Sequence, residues 1–304
     1  MIGDIFYWML NASIFGSITG LIVLLLRRIR ALPRFGIYLL WLLPFIRLWV
    51  PAGIASPYSL FGLFAKPVSI GNGIITGSPV FSFSNTMMAA ESYFPITYKT
   101  AFLKTIFQTA GMVWLIIAAA ALLCSVVLYG LTKSAVKDAV PVRGNLYRSD
   151  KLLSPAVYGI VKPKIILPAS LAEKDEDYIV KHEQIHIQRR DNFWRIAAVI
   201  TACVHWFNPL AWLLLKYFFA DMELACDAGV LKKLDDTDKK AYASALLACA
   251  TGKTYYASAF GGAKTRLRIE NILSYKKLTL FSGIGFAALF LTIAVAVLTN
   301  AAGG

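Results

Sequence analysis

The sequence predicts an α-helical membrane protein with four transmembrane helices and an α+β domain inserted between the third and the fourth. Composition is the first observation behind this fold class. Of the 304 residues, 58% are hydrophobic and 16% are charged, and the mean hydropathy is +0.61. Soluble chains average about 45–50% apolar and about 25% charged residues, so the composition disfavours a soluble globular protein and excludes disorder and a disulfide scaffold.

Four long apolar runs are the second observation. Each has about the 20 residues that cross a bilayer, and the runs are Ile5–Leu26, Phe35–Ile54, Ala110–Leu131 and Leu278–Leu298. Only the second contains a full charge, Arg47 near its far end. We expect this arginine either to extend to the interface or to pair inside the helix bundle.

The placement of charge is the third observation, and it orients the spans. The chain has 31 Lys and Arg against 17 Asp and Glu, a formal net charge of +14. The loop 27–34 holds four arginines and no acidic residue, so the positive-inside rule makes it cytoplasmic. Most other basic residues lie in 132–277, which alternation of the spans also places inside. The excess of basic residues therefore indicates which segments lie inside the cell, and direct binding of nucleic acid is not predicted.

The predicted organisation follows from these spans. Residues 1–54 hold the first two transmembrane helices, 55–105 an extracellular loop, 106–131 the third helix, 132–277 a cytoplasmic domain, 278–299 the fourth helix and 300–304 an outer tail. None of the four cysteines falls in an outer segment, so no disulfide is predicted. Both termini are expected outside.

The cytoplasmic segment is strand-like in its first part and helical in the remainder. Short β-rich stretches at 145–148, 156–159 and 164–167 are separated by proline-containing turns. Acidic residues from Glu173 onward suit a helix N-terminus, and a later helix begins near Asp236. These patterns predict the α+β domain.

The motif His182-Glu183-Gln184-Ile185-His186 lies on the first of these helices. Two histidines four residues apart point the same way from a helix, and two neutral imidazole nitrogens on one face can bind Zn²⁺. Glu183 can take a proton from water and pass it to a leaving amine. A chance match is expected in fewer than about one in a thousand such chains, so the motif predicts a catalytic zinc site rather than two solvated histidines.

A catalytic zinc site needs a third protein ligand. The candidates are His205, Asp221, Glu223 and Asp227. A helix presents Glu223 and Asp227 on one face, so we assign Glu223 as the ligand and Asp227 as the carboxylate that orients a ligating histidine. A surface charge is the alternative for Asp227. His205 lies among aromatic residues, and we interpret it as a packed or interfacial residue.

The apolar stretch 196–215 would be a fifth span by hydropathy alone. If it crossed the bilayer, Glu223 would lie about 30 Å from the two histidines, and no zinc site could form. Asn208-Pro209 interrupts the stretch. We therefore predict a helical hairpin over 191–230 whose aromatic tip rests on the inner leaflet. A buried hairpin of an ordinary domain is the alternative.

The strands before the zinc helix are candidates for holding a substrate. An extended peptide can add to an exposed sheet edge through backbone hydrogen bonds. We assign this role to the stretch 158–167, with Tyr158, Gly159, Ile165 and Ile166 as its residues. A purely structural strand is the alternative.

Five ordered pieces of the sequence resemble the membrane zinc peptidases of the β-lactam sensor-transducer type (BlaR/MecR, antirepressor). They are Ser154–Gly159 with Pro163–Pro168, His182–His186, Asn208–Trp212, Glu223–Asp227 and Arg266–Glu270. With the four spans, the resemblance covers nearly the whole chain. It implies a gluzincin-like zinc peptidase domain with His182, His186 and Glu223 as zinc ligands and Glu183 as general base.

The resemblance also implies a signalling function at the bacterial plasma membrane. Such proteins transmit an outside signal by cleaving themselves and causing loss of a cytoplasmic transcriptional repressor. Self-cleavage would fall after the helix that ends at Gly252, with Ser258, Ala259 and Phe260 as the candidate segment. The expected partners are this repressor and the lipid bilayer, with a second copy of the chain and a separate sensor protein as further candidates.

One departure concerns the sensor. Family members that sense β-lactams continue past the fourth span into an external penicillin-binding domain, whereas this sequence stops at Gly304. Two explanations remain open. The sequence is truncated, or it is a short family member that senses the signal through its outer loop or through a partner. Two other functions are a processing or quality-control zinc peptidase and a non-proteolytic transducer. Glu183 argues against the transducer, because a structural zinc site has no use for a general base.

Overall fold

The computed structural model describes residues 1–29, 31–62, 101–250, 265–275 and 279–301. The chain divides into two compact units. The first contains the described parts of 1–32, 40–118 and 279–304, and the second contains those of 33–39 and 119–278. The sequence motif with the two histidines lies in the second unit.

Helices make up most of the described chain, and the strands are short. The helices are α1 Ile2–Leu26, α2 Arg34–Leu40, α3 Leu42–Trp49, α4 Ala101–Ala135, α5 Glu173–Gln188, α6 Asp191–Val204, α7 Pro209–Leu231, α8 Asp236–Ala250, α9 Thr265–Leu273 and α10 Leu280–Leu298. The strands are β1 Ala55–Ser56, β2 Val140–Arg143, β3 Leu146–Ser149, β4 Ala156–Tyr158, β5 Lys164–Pro168 and β6 Asn300–Ala301.

Three helices of the described residues are long and apolar enough to cross a membrane: α1, the stretch Thr105–Ser134 of α4, and α10. They coincide with the first, third and fourth predicted spans. The second span differs, because α2 and α3 are separated at Trp41. Pro44 cannot donate a hydrogen bond to the carbonyl of Leu40 and crowds it, which interrupts the helix at this point. Four transmembrane helices therefore stay a prediction.

Arg47 is buried inside the first unit. Its exposed fraction is 1%. The guanidinium donates hydrogen bonds of 2.6 to 2.8 Å to four oxygens, which belong to the Pro51, Val297 and Thr299 carbonyls and the Asn300 side chain. The charge is thus paired within the first unit, and its depth in a membrane stays a prediction. Oxygen acceptors take the place of water around it.

The sheet of the second unit has the strand order β2-β3-β5-β4. β3 and β5 are parallel, whereas the outer strands β2 and β4 pair antiparallel with their neighbours. The three strands expected between 145 and 167 are confirmed. The sequence did not indicate β2, whose residues are all exposed and therefore show no burial pattern.

Helices α5, α7, α8 and α9 share one hydrophobic cluster with the sheet. The cluster includes Ile165 of β5, Ile185 of α5 and Ile272 of α9. Gly229 allows α7 to approach α5 closely, because a Cβ at this position would lie 3.1 Å from Cδ1 of Ile185. The helix with the histidine motif is therefore packed directly against the second helix of the hairpin.

Helices α6 and α7 are joined by the four residues 205–208. Asn208 caps α7 by accepting a 3.0 Å hydrogen bond from the backbone N–H of Leu210, and Pro209 occupies the first turn, where its missing N–H costs no hydrogen bond. Arg195 near the start of α6 contacts Met222 near the end of α7. The two helices are therefore antiparallel, and the chain doubles back near Asn208.

Candidate metal centre

Three side chains from α5 and α7 converge at the centre of the second unit. The Nε2 atoms of His182 and His186 are 3.1 Å apart. The two carboxylate oxygens of Glu223 lie 3.5 Å from Nε2 of His182 and 3.6 Å from Nε2 of His186. Zn–N and Zn–O bonds of about 2.0–2.1 Å place tetrahedral ligand atoms about 3.3–3.4 Å apart. The three groups therefore have the spacing that one metal ion requires.

Cys226 is a further side chain beside the two histidines. Its Sγ and one ring nitrogen from each of His182 and His186 lie within 4.8 Å of one another, so this group could also hold a metal. The thiol donates a hydrogen bond to the backbone carbonyl of His182 at 3.3 Å. Cys226 and Glu223 are therefore both candidates for the third ligand, and the two oxygens of Glu223 have the distances to the histidines that a tetrahedral zinc site needs.

A single buried carboxylate orients the ring of His186. Asp191 is the first residue of α6, and its Oδ2 is 2.6 Å from Nδ1 of His186. Arg190 has the left-handed conformation, with φ 56°, which turns the chain sharply between α5 and α6. Tyr38 and Arg189 lie 3.1 and 3.3 Å from Oδ1 of Asp191. The Nδ1 atom of His186 therefore carries the proton and leaves Nε2 for a metal.

Side chains from three later helices surround the ring of His182. Its Nδ1 is 2.9 Å from the Tyr242 hydroxyl of α8 and 3.3 Å from Oδ1 of Asp227 on α7. The Tyr242 hydroxyl donates to the same Asp227 oxygen at 2.6 Å. Arg268 of α9 donates to both oxygens of Asp227, at 2.7 and 2.8 Å. Tyr242 and Asp227 thus present acceptors to Nδ1 of His182, while Nη2 of Arg268 approaches Nε2 to 3.3 Å.

The charges around the centre compensate one another. Arg195 donates to Glu223 at 2.7 Å, and Arg268 lies 3.5 Å from the other carboxylate oxygen. Burial alone would raise the pKa of Glu223, but His186, His182 and Arg268 outweigh it and hold this pKa well below its usual range. Burial likewise would lower the pKa of both histidines, but Cys226, together with Tyr242 at His182 and Glu223 at His186, raises it well above the ordinary value. Glu223 is therefore ionised, as a metal ligand must be.

The other residues predicted for the centre are buried as well. Glu183 is 7% exposed on α5, and Asp221 is 1% exposed on α7. His205 follows α6 and is fully buried, as expected for a packed residue. Neither His205 nor Asp221 belongs to a metal-binding group among the residues that the structure describes. The predicted cleavage segment, Ser258, Ala259 and Phe260, lies outside the described residues.

The sheet order corrects part of the predicted substrate edge. Ile165 and Ile166 belong to β5, which lies between β3 and β4 and has partners on both sides. Their exposed fractions are 1% and 2%. A peptide cannot add to an interior strand, so these two residues do not bind substrate by this mode. The edge strand is β4, which contains Tyr158 and is followed by Gly159.

Asn192 joins this edge to the metal centre. Its side-chain nitrogen donates hydrogen bonds of 3.0 Å to the carbonyl oxygens of Val157 and Gly159. Gly159 has φ +94°, and a Cβ there would lie 2.9 Å from a backbone oxygen of the following turn, so this position requires glycine. The neighbours Asp191 and Asn192 thus hold one histidine of the candidate centre and the edge strand, respectively.

Five neighbours of the centre were not predicted: Asp191, Arg195, Cys226, Tyr242 and Arg268. Asp191 had a sequence signal, because it is an acidic residue just beyond the end of the motif helix. Arg268 belongs to the piece Arg266–Glu270 but had no assigned role. Tyr242 had no signal, since a buried tyrosine on a helix is most often a core residue.

Comparison with known proteins places this geometry in a family. The family model described as BlaR1 peptidase M56 matches residues 7–272. Regulatory protein BlaR1 of Bacillus licheniformis is 38% identical over 93 residues, which cover 30% of this chain and 16% of that protein. Methicillin resistance mecR1 protein of Staphylococcus aureus is 30% identical over 112 residues, 36% of this chain and 19% of that protein. The matched part thus spans less than a fifth of these relatives. Because the family model matches well over half of the sequence, the chain belongs to the BlaR1 peptidase M56 family.

Proposed function

We propose that this chain is a membrane-bound zinc endopeptidase. The observation that carries the proposal is the convergence of His182, His186 and Glu223, whose facing atoms lie 3.1 to 3.6 Å apart. Two imidazoles and one carboxylate form a donor set that catalytic zinc sites use, with a fourth position left for water or substrate. The acceptors on both Nδ1 atoms support the fit, because they leave the Nε2 lone pairs for the metal.

The proposed chemistry assigns a role to each of the remaining groups. Zinc bound by these ligands would act as a Lewis acid that activates water and polarises the scissile carbonyl. Glu183 is the proposed general base, which takes a proton from the attacking water and donates it to the leaving amine nitrogen. Its position beside His182 on a rigid helix supports this role. Asp191 and Asp227 are proposed to keep the two imidazole rings in the orientation that metal binding needs.

Strand β4 is proposed to hold the substrate in an extended conformation. Tyr158 lies in this edge strand, and Gly159 follows it. The carbonyl oxygens of Val157 and Gly159 each accept one hydrogen bond from Asn192. A carbonyl oxygen has two lone pairs, so each retains one for a peptide N–H.

The biological role that we propose is signalling at a bacterial plasma membrane. In this role the peptidase cleaves itself near 258–260 and promotes loss of a cytoplasmic transcriptional repressor. Four crossings would place both termini outside and the peptidase domain inside. Membership of the BlaR1 peptidase family and the three long apolar helices support this role.

The test compares the full-length wild type in detergent with Glu183→Ala and Glu173→Gln. Glu173 is an exposed carboxylate on the same helix, so its variant is the matched control. We expect all three proteins to bind zinc, as measured by elemental analysis. Mass spectrometry should find fragments cut within 253–265 in the wild type and the control, and none in Glu183→Ala.

Two outcomes would contradict the proposal in different ways. Unchanged fragmentation in Glu183→Ala would remove this residue from the general-base role. Stoichiometric zinc without cleavage of any protein in the wild type would instead indicate a non-proteolytic transducer.

A further inference from the structure

Arg268 of α9 contacts several groups of the metal centre at once. Its Nε and Nη2 donate to the two oxygens of Asp227 at 2.8 and 2.7 Å. Its Nη1 lies 3.5 Å from Oε2 of Glu223, and Nη2 lies 3.3 Å from Nε2 of His182. One guanidinium therefore faces two of the three proposed zinc ligands and the carboxylate that orients one of them.

Among the residues that the structure describes, α9 contacts the second unit through both apolar and charged side chains. A helix of nine residues is shorter than the roughly 12–15 residues that an isolated helix needs for stability in water. Ile272 is the one buried residue within α9, and it lies one turn after Arg268 on the same face. Ile272 enters the hydrophobic cluster, and Arg268 enters the metal centre. The docking of α9 thus depends in part on the charges of that centre.

We propose that Arg268 is a positioning residue that couples the docking of α9 to metal binding, an inference that rests on the proposed zinc site. The planar guanidinium of Arg268 binds both oxygens of Asp227, which fixes the orientation in which this carboxylate faces His182 and Tyr242. This orientation keeps Nε2 of His182 directed at the metal. Coupling between two equilibria is reciprocal, so a bound metal must in turn stabilise docked α9.

The first measurement is metal affinity. The full-length chain in detergent is stripped of metal and titrated with Co²⁺, whose visible absorption reports the coordination geometry. Arg268→Gln should bind Co²⁺ about tenfold more weakly than the wild type, and Arg268→Lys should lose less, since lysine keeps the charge without the fork. Arg266→Ala is the matched control, because Arg266 is on the same helix, is 90% exposed and pairs with Glu270. It should bind as the wild type does.

Two further measurements separate positioning from a general loss of packing. In the Asp227→Asn background, Arg268→Gln should cause less than about a twofold additional loss, because the arginine acts through that carboxylate. Hydrogen exchange in residues 265–273 should slow on addition of Co²⁺ in the wild type and Arg266→Ala, and should not respond in Arg268→Gln.

Several outcomes would overturn the inference. Unchanged affinity in Arg268→Gln, or an undiminished loss in the Asp227→Asn background, would show that Arg268 does not act through Asp227. Tighter binding would make the guanidinium a competitor of the metal. If Arg268→Gln does not fold, wild-type affinity and wild-type exchange in Arg268→Lys would reject the coupling. Failure of the wild type to bind Co²⁺ would reject the proposed function instead.

Discussion

The two histidines of the metal centre are held in different ways. His186 is oriented by a carboxylate five residues further along the chain, at the start of the next helix. His182 is oriented by Tyr242 and Arg268, which are 60 and 86 residues away, together with Asp227. One half of the centre thus follows from a short turn between two helices. The other half exists only when three later helices have packed.

Because of this contrast, the His186 half and the His182 half of the centre should respond differently to substitution. Asp191 alone faces Nδ1 of His186 among the hydrogen bonds described above, whereas Tyr242 and Asp227 both face Nδ1 of His182. We therefore expect the His186 half to be sensitive to one substitution and the His182 half to tolerate the loss of either partner better.

The largest effect is expected from Asp191→Asn. Tyr38 and Arg189 lie against Oδ1, so an amide oxygen would remain there, and the amide nitrogen would face Nδ1 of His186. A donor at that position forces the imidazole proton onto Nε2, the nitrogen that must bind the metal. Co²⁺ affinity of the full-length protein should fall about 100-fold.

Asp138→Asn serves as the control for this variant. Asp138 is an exposed carboxylate that pairs with Lys151 on the surface. Its substitution should leave Co²⁺ affinity unchanged. A loss of less than about tenfold in Asp191→Asn would show that this carboxylate does not decide the tautomer of His186.

Asp227→Asn is expected to have an intermediate effect. The Tyr242 hydroxyl still offers an oxygen to Nδ1 of His182, so the ring keeps one acceptor. Arg268 loses one of its two hydrogen bonds to this side chain and keeps the other, together with the longer approach to Glu223. We expect about a tenfold loss of Co²⁺ affinity in the same titration. Equal losses in Asp227→Asn and Asp191→Asn would remove the contrast between the two halves.

Tyr242→Phe should have the smallest effect of the three. Asp227 is already 3.3 Å from Nδ1 of His182 and can accept its proton without the hydroxyl. A loss of about threefold in Co²⁺ affinity is expected. Tyr147→Phe, in strand β3, is the matched control and should show none. A loss above about tenfold in Tyr242→Phe would make this hydroxyl the main partner of His182.

Local patterns in the sequence predicted some elements well. Three of the four apolar runs correspond to long helices, because span length and hydropathy depend only on neighbouring residues. The second run shows that hydropathy alone does not guarantee one continuous helix, since Pro44 divides this run into α2 and α3. The strand 164–167 was also predicted, but its place between two others was not, and Ile165 and Ile166 were therefore assigned to an edge that they do not form.

The sequence by itself determined that two imidazoles leave one face of a helix, with a glutamate beside them, since a spacing of four residues within one helix has only one geometric outcome. It also determined which stretches are apolar enough for a membrane. Only the tertiary structure decided which unpredicted groups join the assigned Glu223 at the centre. Glu223, Tyr242 and Arg268 reach it because α7, α8 and α9 pack around one hydrophobic cluster, and packing between helices depends on the shapes of many side chains at once.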